Sequence, residues 1–424
     1  MLGACPSPSP PVLSPNEYNT LNRPPLSHTA LAILLAALAM LGPFSVDTYL
    51  PAFPQIQASL HASELEVQQT LTSYMFAFSV MTLWHGAFSD SFGRRNIILV
   101  CLAVFAVASL GCAASHTVHY LWAFRILQGL SSGAGTVIGR AIIRDLHNDA
   151  HATRLLSLVT MIFAIGPGIA PILGGWIVKW FDWRSIFLFL FAYTVVLLWC
   201  CYRFLDESLP PDQRQEFHPR VLYDSYKRIL KSVPFLLKAG ILALNFSGMF
   251  LYVSAAPAII TKHLKLGPEQ FGWQFVPMVL GIFLGSLFVN RLAGRWSVAR
   301  QIALGFAVSM MAALFNVLYH ALAAPALPWT VLPLFFYSFG ISVVSPGATL
   351  LLLDLFPQLR GTVASCQSCA ISALAAVTAG VLAPLLSGSM LALATGQLGF
   401  LTLGLLCWVW VFQRRKNERH AAGH

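Results

Sequence analysis

The chain has 424 residues, 57% of them hydrophobic and only 10% charged, where a soluble globular protein carries about 25% charged residues. That composition excludes an ordinary soluble enzyme, and twelve spans of about 20 residues fit the length with room for short loops, a linker and two tails. The formal net charge of +10 is not read as nucleic-acid binding, because an apolar chain in a bilayer keeps its Lys and Arg in cytoplasmic loops for topological reasons.

Residues 1–28 contain PSPSPPVLSP and are predicted to form a disordered cytoplasmic tail with no signal peptide. Apolar runs bounded by turns and charges then predict twelve spans, at 29–50, 67–88, 96–115, 118–139, 155–178, 184–204, 233–260, 271–290, 299–323, 329–353, 361–386 and 389–412. The predicted fold is all-α, with twelve transmembrane helices in two six-helix bundles. Residues 29–205 form the N-terminal bundle, 206–232 a cytoplasmic linker, 233–413 the C-terminal bundle and 414–424 a cytoplasmic tail. With both termini inside, 21 of the 26 Lys and Arg, Lys238 counted among them, fall in cytoplasmic segments. That excess sets the orientation. One basic residue, Arg125, is left inside a span.

Span 1 ends on Gly42-Pro43-Phe44-Ser45-Val46-Asp47-Thr48-Tyr49-Leu50-Pro51-Ala52-Phe53-Pro54. Asp47 is the carboxylate placed well inside a span, where an acid can take and release a proton. Pro51 and Pro54 leave open a second reading, a wetted capping residue at the outer helix end. Between spans 2 and 3 lies GAFSDSFGRR, from Gly86 to Arg95. This tight turn offers glycines for close helix approach, one carboxylate and two guanidinium groups at the membrane face. It resembles the major facilitator superfamily signature G-x-x-x-D-R-x-G-R-R, with Ser91 in place of the usual basic residue. The resemblance implies a gate built from Gly86, Asp90, Gly93, Arg94 and Arg95 that latches the two halves in one state. The alternative is that Arg94 and Arg95 only enforce topology.

Span 4 contains Arg125-Ile-Leu-Gln128-Gly129, and a charge within a span costs at least about 2.5–3.5 kcal/mol on insertion scales. Such a residue must face protein or water. R-x-x-Q-G is similar to the superfamily's span-4 motif, whose arginine the resemblance implicates in proton coupling; packing alone is the other reading. Span 5 carries Gly166, Pro167, Pro171, Gly174 and Gly175, small residues and prolines that permit close helix approach and loosen the helix ladder. This G-P-x-x-x-P-x-x-G-G core is similar to the antiporter motif of facilitator exporters. D-x-Y-L-P-A-x-P, with Arg140-Ala-Ile-Ile-Arg144-Asp145 and Trp183-Arg184-Ser-Ile-Phe187, resembles the Bcr/CflA branch of drug exporters over about residues 30–410.

In the linker, Val221, Leu222, Tyr226, Ile229 and Leu230 fit one face of a short surface helix, with Lys227, Arg228 and Lys231 toward lipid headgroups; a partly ordered connector is the alternative. The halves echo each other, as parallel repeats do. Ala170-Pro171-Ile172-Leu173 with Gly175 recurs as Ala383-Pro384-Leu385-Leu386 with Gly388, and Asp145-Leu146 as Asp354-Leu355. Cys366 and Cys369 form a C-x-x-C in an apolar helix without the context of a redox motif, and no Cys/His cluster has metal-ligand spacing, so neither metal nor cofactor is expected. Polar and aromatic candidates for a substrate cavity are Tyr74, Gln128, Asn245, Tyr252, Tyr337 and Gln367.

The resemblance implies an antiporter, working as a monomer in a bacterial inner membrane, that exports small amphipathic compounds including antibiotics in exchange for protons. The rival on the same fold is a dedicated exporter of one metabolite, such as an amino acid or siderophore. A receptor that kept the scaffold fits poorly with two intramembrane charges. No nucleophile–base pairing, phosphate loop or metal cluster supports enzymatic chemistry.

Overall fold

The computed structural model describes residues 27–146, 149–292 and 295–421, with side chains left undescribed at 149–154, 157 and 414–421. The expected tail over residues 1–26 and the side chains of Arg154, Arg414, Arg415, Lys416 and Arg419 therefore lie outside the described residues. The described chain is all-helical. The N-terminal half comprises α1 (His28–Asp47), a 3-10 turn (Leu50–Ala52), α2 (Phe53–Leu60), α3 (Glu64–Phe92), α4 (Arg94–Ala113), α5 (Val118–Ser132), α6 (Ala134–Leu146), α7 (Asp149–Trp180) and α8 (Arg184–Phe204). The linker contributes α9 (Pro219–Leu230). The C-terminal half comprises α10 (Val233–Ser254), a π turn (Ala258–His263), α11 (Gly272–Leu292), α12 (Val298–Leu322), α13 (Leu332–Leu353), α14 (Arg360–Val377), a second π turn (Thr378–Leu382), α15 (Ala383–Leu386) and α16 (Met390–Ala421).

Ten stretches among the described residues are long and apolar enough to cross a membrane by themselves. The two predicted spans outside that set are 67–88, which lies in α3, and 118–139, which the structure divides into α5 and α6. Both carry many buried polar groups. Gln68, Thr70, Tyr74, Ser79, Thr82 and His85 are buried along α3, and Arg125, Gln128, Ser131 and Ser132 along α5. The break between α5 and α6 falls at Gly133, where a Cβ would stand 3.2 Å from two atoms of the His85 ring and 3.3 Å from Phe78. A residue without a side chain lets α3 pack into the bend.

Helix starts follow local chemistry. Ser63 and Glu66 form a reciprocal capping box at α3, Thr117 caps α5 and Ser297 caps α12. Within the halves α1 packs on α7, α4 on α8, α3 on α5, and α13 on both α11 and α12. Two seams join the halves: α3 against α14 and the Thr378–Leu382 turn, and α7 against α11 and the Pro268–Gln270 turn. One apolar core fills the N-terminal half and continues across the molecule through Phe250, Leu251 and Ile259. A second core lies in the C-terminal half and takes in Tyr226 and Ile229 of the linker helix. Large apolar residues such as Val107, Leu322 and Leu385 project outward, the solvation expected where the surrounding medium is lipid.

The linker helix differs from its expectation in one respect. Tyr226 and Ile229 are buried and Leu222 is half-buried, but Val221 and Leu230 stay exposed, so the buried face is narrower than predicted. Lys238 also needs correction. Counted among the residues of the cytoplasmic segments, it is buried in α10 with its ammonium donating to the Leu351 carbonyl at 2.8 Å, near the C-terminal end of α13. A helix C-terminus presents unpaired carbonyls that suit a cation.

Candidate functional site: a charged core between two gates

Arg125 is fully buried on α5. Its Nη1 donates to the Ser45 carbonyl at 3.0 Å, the Ser45 hydroxyl at 2.9 Å and the Gln128 side-chain carbonyl at 2.9 Å. The guanidinium lies between two aromatic faces, 4.7 Å from the Tyr49 ring centre and 4.4 Å from that of Tyr74, a geometry in which ring quadrupoles stabilise a cation. Gln128 passes the network on to Ser109, Tyr74 to Ser132 and Tyr49 to Thr70. Nε and Nη2 of Arg125 have no hydrogen-bond partner among the described residues. Asp47 is the last residue of α1 and is 6% exposed; it is a buried carboxylate rather than a wetted cap. Neither Asp47 nor Arg125 has an ion-pair partner within 4 Å among the described residues.

The C-terminal half holds a neutral counterpart. Asn316 donates to the Tyr252 hydroxyl at 2.7 Å and to Gln397 at 3.1 Å, Gln274 donates to the Tyr252 carbonyl, and the Tyr337 hydroxyl to the Asn245 carbonyl. This network of the C-terminal half carries no charged side chain, unlike the one around Arg125.

At the end remote from Gly86–Arg95 the halves are closed. Gln68 donates to the Ala379 carbonyl at 3.0 Å and Gln69 to the Gly380 carbonyl at 2.9 Å. Lys179 pairs with Glu269 at 3.2 Å, and Lys262 with Glu64. Hydrogen bonds from its own backbone and from Lys179 hold the Glu269 carboxyl below its ordinary range. The span-5 glycines explain the close fit. A Cβ on Gly174 would overlap the Thr48 carbonyl within the N-terminal half, and one on Gly175 would overlap the Pro268 carbonyl of the other half. Gly166 is less constrained, since its Cβ would meet the flexible Met40 side chain at 3.3 Å. Pro167 and Pro171 both lie inside α7. Asp47, Thr48, Gly174, Gly175 and Pro268 therefore form a continuous path from the buried acid to the seam between the halves. The sequence echo at Gly388 has no such role, as nothing lies within 4 Å of the Cβ position there.

At the other end the halves part around a cavity of about 1110 Å³, lined by α3, α6, α14 and the linker. Gly86, Asp90 and Arg94 lie on its wall. Arg94 pairs with Asp90 and, at 3.0 Å, with Asp145, and donates to Ser89. Arg95 donates to the Tyr202 carbonyl and sits over the Tyr202 ring. In this conformation the Gly86–Arg95 turn is held by its own half and by the linker. The Arg94 amide donates to Glu207, which stands 3.7 Å from Arg214, the Gln215 amide donates to the Asp90 carbonyl, and Phe217 packs among Trp84, Phe88 and Phe92. Gly93 has φ +95°, and a Cβ there would run into the Glu207 and Arg214 side chains.

None of the six residues expected to line a cavity lines this one. Tyr74, Gln128, Asn245, Tyr252 and Tyr337 are buried in the two networks, and half-buried Gln367 donates to Thr349. The cavity wall is instead Thr82, Thr136, Arg140, Arg144 and a row of hydroxyls on α14. That row, Thr362, Ser365, Ser368 and Ser372, has helical spacing that was available in the sequence.

Two six-helix halves that seal at one end and part at the other around a cavity, with a buried charge inside one half, define a membrane transporter. The profile of the Major Facilitator Superfamily matches residues 35–380, and the chain belongs to that family. It is a transporter and not an enzyme. It is 31% identical to the MFS-type transporter YdgK of Bacillus subtilis over 79% of this chain and 87% of that one. A bicyclomycin resistance protein homolog of Haemophilus influenzae is 29% identical over 78% and 83%. Multidrug resistance protein D of Escherichia coli is 27% identical over 92% and 97%. Among solved structures, the human organic anion transporter MFSD10 shares the fold with a TM-score of 0.66 at 18% identity, covering 91% of this chain and all of that one.

Proposed function

We propose that the protein is a proton-coupled antiporter that exports small amphipathic compounds, antibiotics among them, across a bacterial inner membrane. Both termini and the cavity mouth face the cytoplasm, and the protein works as a monomer. Relatives named for bicyclomycin and multidrug resistance support the drug-efflux reading. The observation that carries proton coupling is the pair of buried, unpaired charges, Asp47 and Arg125, held on adjoining helices. When Asp47 is ionised it is attracted to the cation across the α1–α5 contact; when it is protonated that attraction is lost. The change is felt next door, because Thr48 packs on Gly174 and Gly175 on Pro268. Proton uptake thereby biases the seam that closes one face, while Arg94 and Asp90 stand at the face that is open. Lys and Arg excess at the Gly86–Arg95 end supports the orientation.

A susceptibility panel comparing expressing cells with empty-vector cells tests breadth: resistance to several unrelated amphipathic compounds is expected, and a single-solute phenotype would favour a dedicated exporter. Everted vesicles with an imposed pH gradient test coupling. Efflux that ignores the gradient overturns it.

A further inference from the structure

The open cavity has walls of unlike chemistry. Arg140 and Arg144 stand four residues apart on α6, both exposed into it, and neither bonds to a described side chain. Two of the lining carboxylates, Asp90 and Asp145, are paired with Arg94; Glu216 is exposed, with the His218 ring 3.5 Å away. Topology asks for basic residues at this end of the molecule, but not for two that face a cavity without a partner among the described residues, beside others that are paired. Like charges at this helical spacing also repel each other.

The other half presents Thr362, Ser365, Ser368 and Ser372 along one face of α14. Serine and threonine in these helices commonly bond back to their own helix, as Ser109 does to Phe105, Ser131 to Leu127, Thr194 to Leu190 and Thr378 to Leu374. The four on α14 make no such bond and accept none from a described residue, which leaves their donors for whatever enters. Phe78, Val137 and Ile371 add apolar surface.

We infer that the cavity binds amphipathic organic anions, with a carboxylate or sulfonate held by the guanidinium groups of Arg140 and Arg144, the α14 hydroxyls donating to its remaining oxygens, and the apolar body against Phe78 and Ile371. Guanidinium forks match the oxygens of such groups, and one bound anion relieves the repulsion between the two arginines. This rests on reading the cavity as the substrate path of an exporter.

The test uses the full chain in phosphatidylcholine nanodiscs and a size-matched series: 2-naphthylacetate, 2-naphthaleneethanol and 2-naphthylethylamine, with empty discs subtracted. The carboxylate is expected to bind about tenfold more tightly than the amine, a difference of about 1.4 kcal/mol. Arg140→Gln and Arg144→Gln are each expected to lose most of that preference while the alcohol binds unchanged, which shows that the cavity is intact. Equal binding of carboxylate and amine, or a preference that survives the double substitution, overturns the inference. Discs containing phosphatidylglycerol separate a soluble anion from a lipid headgroup, with the doubly substituted chain correcting for surface potential: loss of carboxylate binding there would assign the site to lipid and overturn a soluble substrate. Failure here with intact proton-driven export leaves the transport assignment standing. Anion binding without any export would do the reverse.

Discussion

Arg125 on α5 donates to both the carbonyl and the hydroxyl oxygen of Ser45 on α1, at 3.0 and 2.9 Å, two residues before Asp47. The buried cation is thereby bound to the helix that carries the buried acid without being paired to the acid itself. Because charge-assisted bonds to a backbone carbonyl contribute about 1.5–3 kcal/mol, the α1–α5 contact persists whichever protonation state Asp47 holds.

Asp47→Asn keeps the shape of the side chain and removes the titratable proton. Proton-driven efflux in everted vesicles is expected to fall to background, while membrane abundance and melting temperature in detergent stay near those of the wild type. Full gradient-driven transport by this variant would remove Asp47 from the mechanism.

Arg125→Lys retains charge but loses the planar group that fits between the Tyr49 and Tyr74 rings and reaches Ser45 and Gln128 together. Partial transport with a displaced pH profile is expected. Arg125→Ala is expected to abolish proton-driven transport, with substrate still bound. A normal rate and pH profile in the Ala variant would reduce Arg125 to a packing residue.

Three of the span-5 glycines, Gly166, Gly174 and Gly175, should separate by what each one touches. Gly166→Ala meets a movable Met40 side chain, so near-normal transport is expected. Gly174→Ala crowds the Thr48 backbone within one half and should cost about 1–3 kcal/mol of stability, read as a lower melting temperature. Gly175→Ala crowds Pro268 across the seam. Its melting temperature should change little, while spin-label distances across that end lengthen and transport is lost. Identical phenotypes for all three would contradict the tight approach at Gly174 and Gly175.

Gly93→Ala places a side chain at φ +95° and against Glu207 and Arg214. Strain of about 1–3 kcal/mol is expected to be relieved by undocking the linker. Faster proteolysis of residues 206–218 would register it, and wild-type cleavage rates would show that the turn tolerates a Cβ.

The amino-acid sequence determined the helical class, the approximate spans and the motif residues, because a bilayer's length and low polarity constrain each span locally. Asp47 and Arg125 stood out for the same reason: a charge inside a span is conspicuous without any partner. Tertiary structure decided what local patterns cannot carry. Gly133 splits span 4 because His85 and Phe78 pack against it. Gly174 and Gly175 look alike in sequence, but one abuts its own half and the other the opposite half. The same distinction separates polar residues buried in networks from those that line the cavity. Tyr74, Gln128, Tyr252 and Tyr337 are held in buried networks by partners that are distant along the chain. Arg140, Arg144 and the α14 hydroxyls reach the cavity because the two halves part at that end.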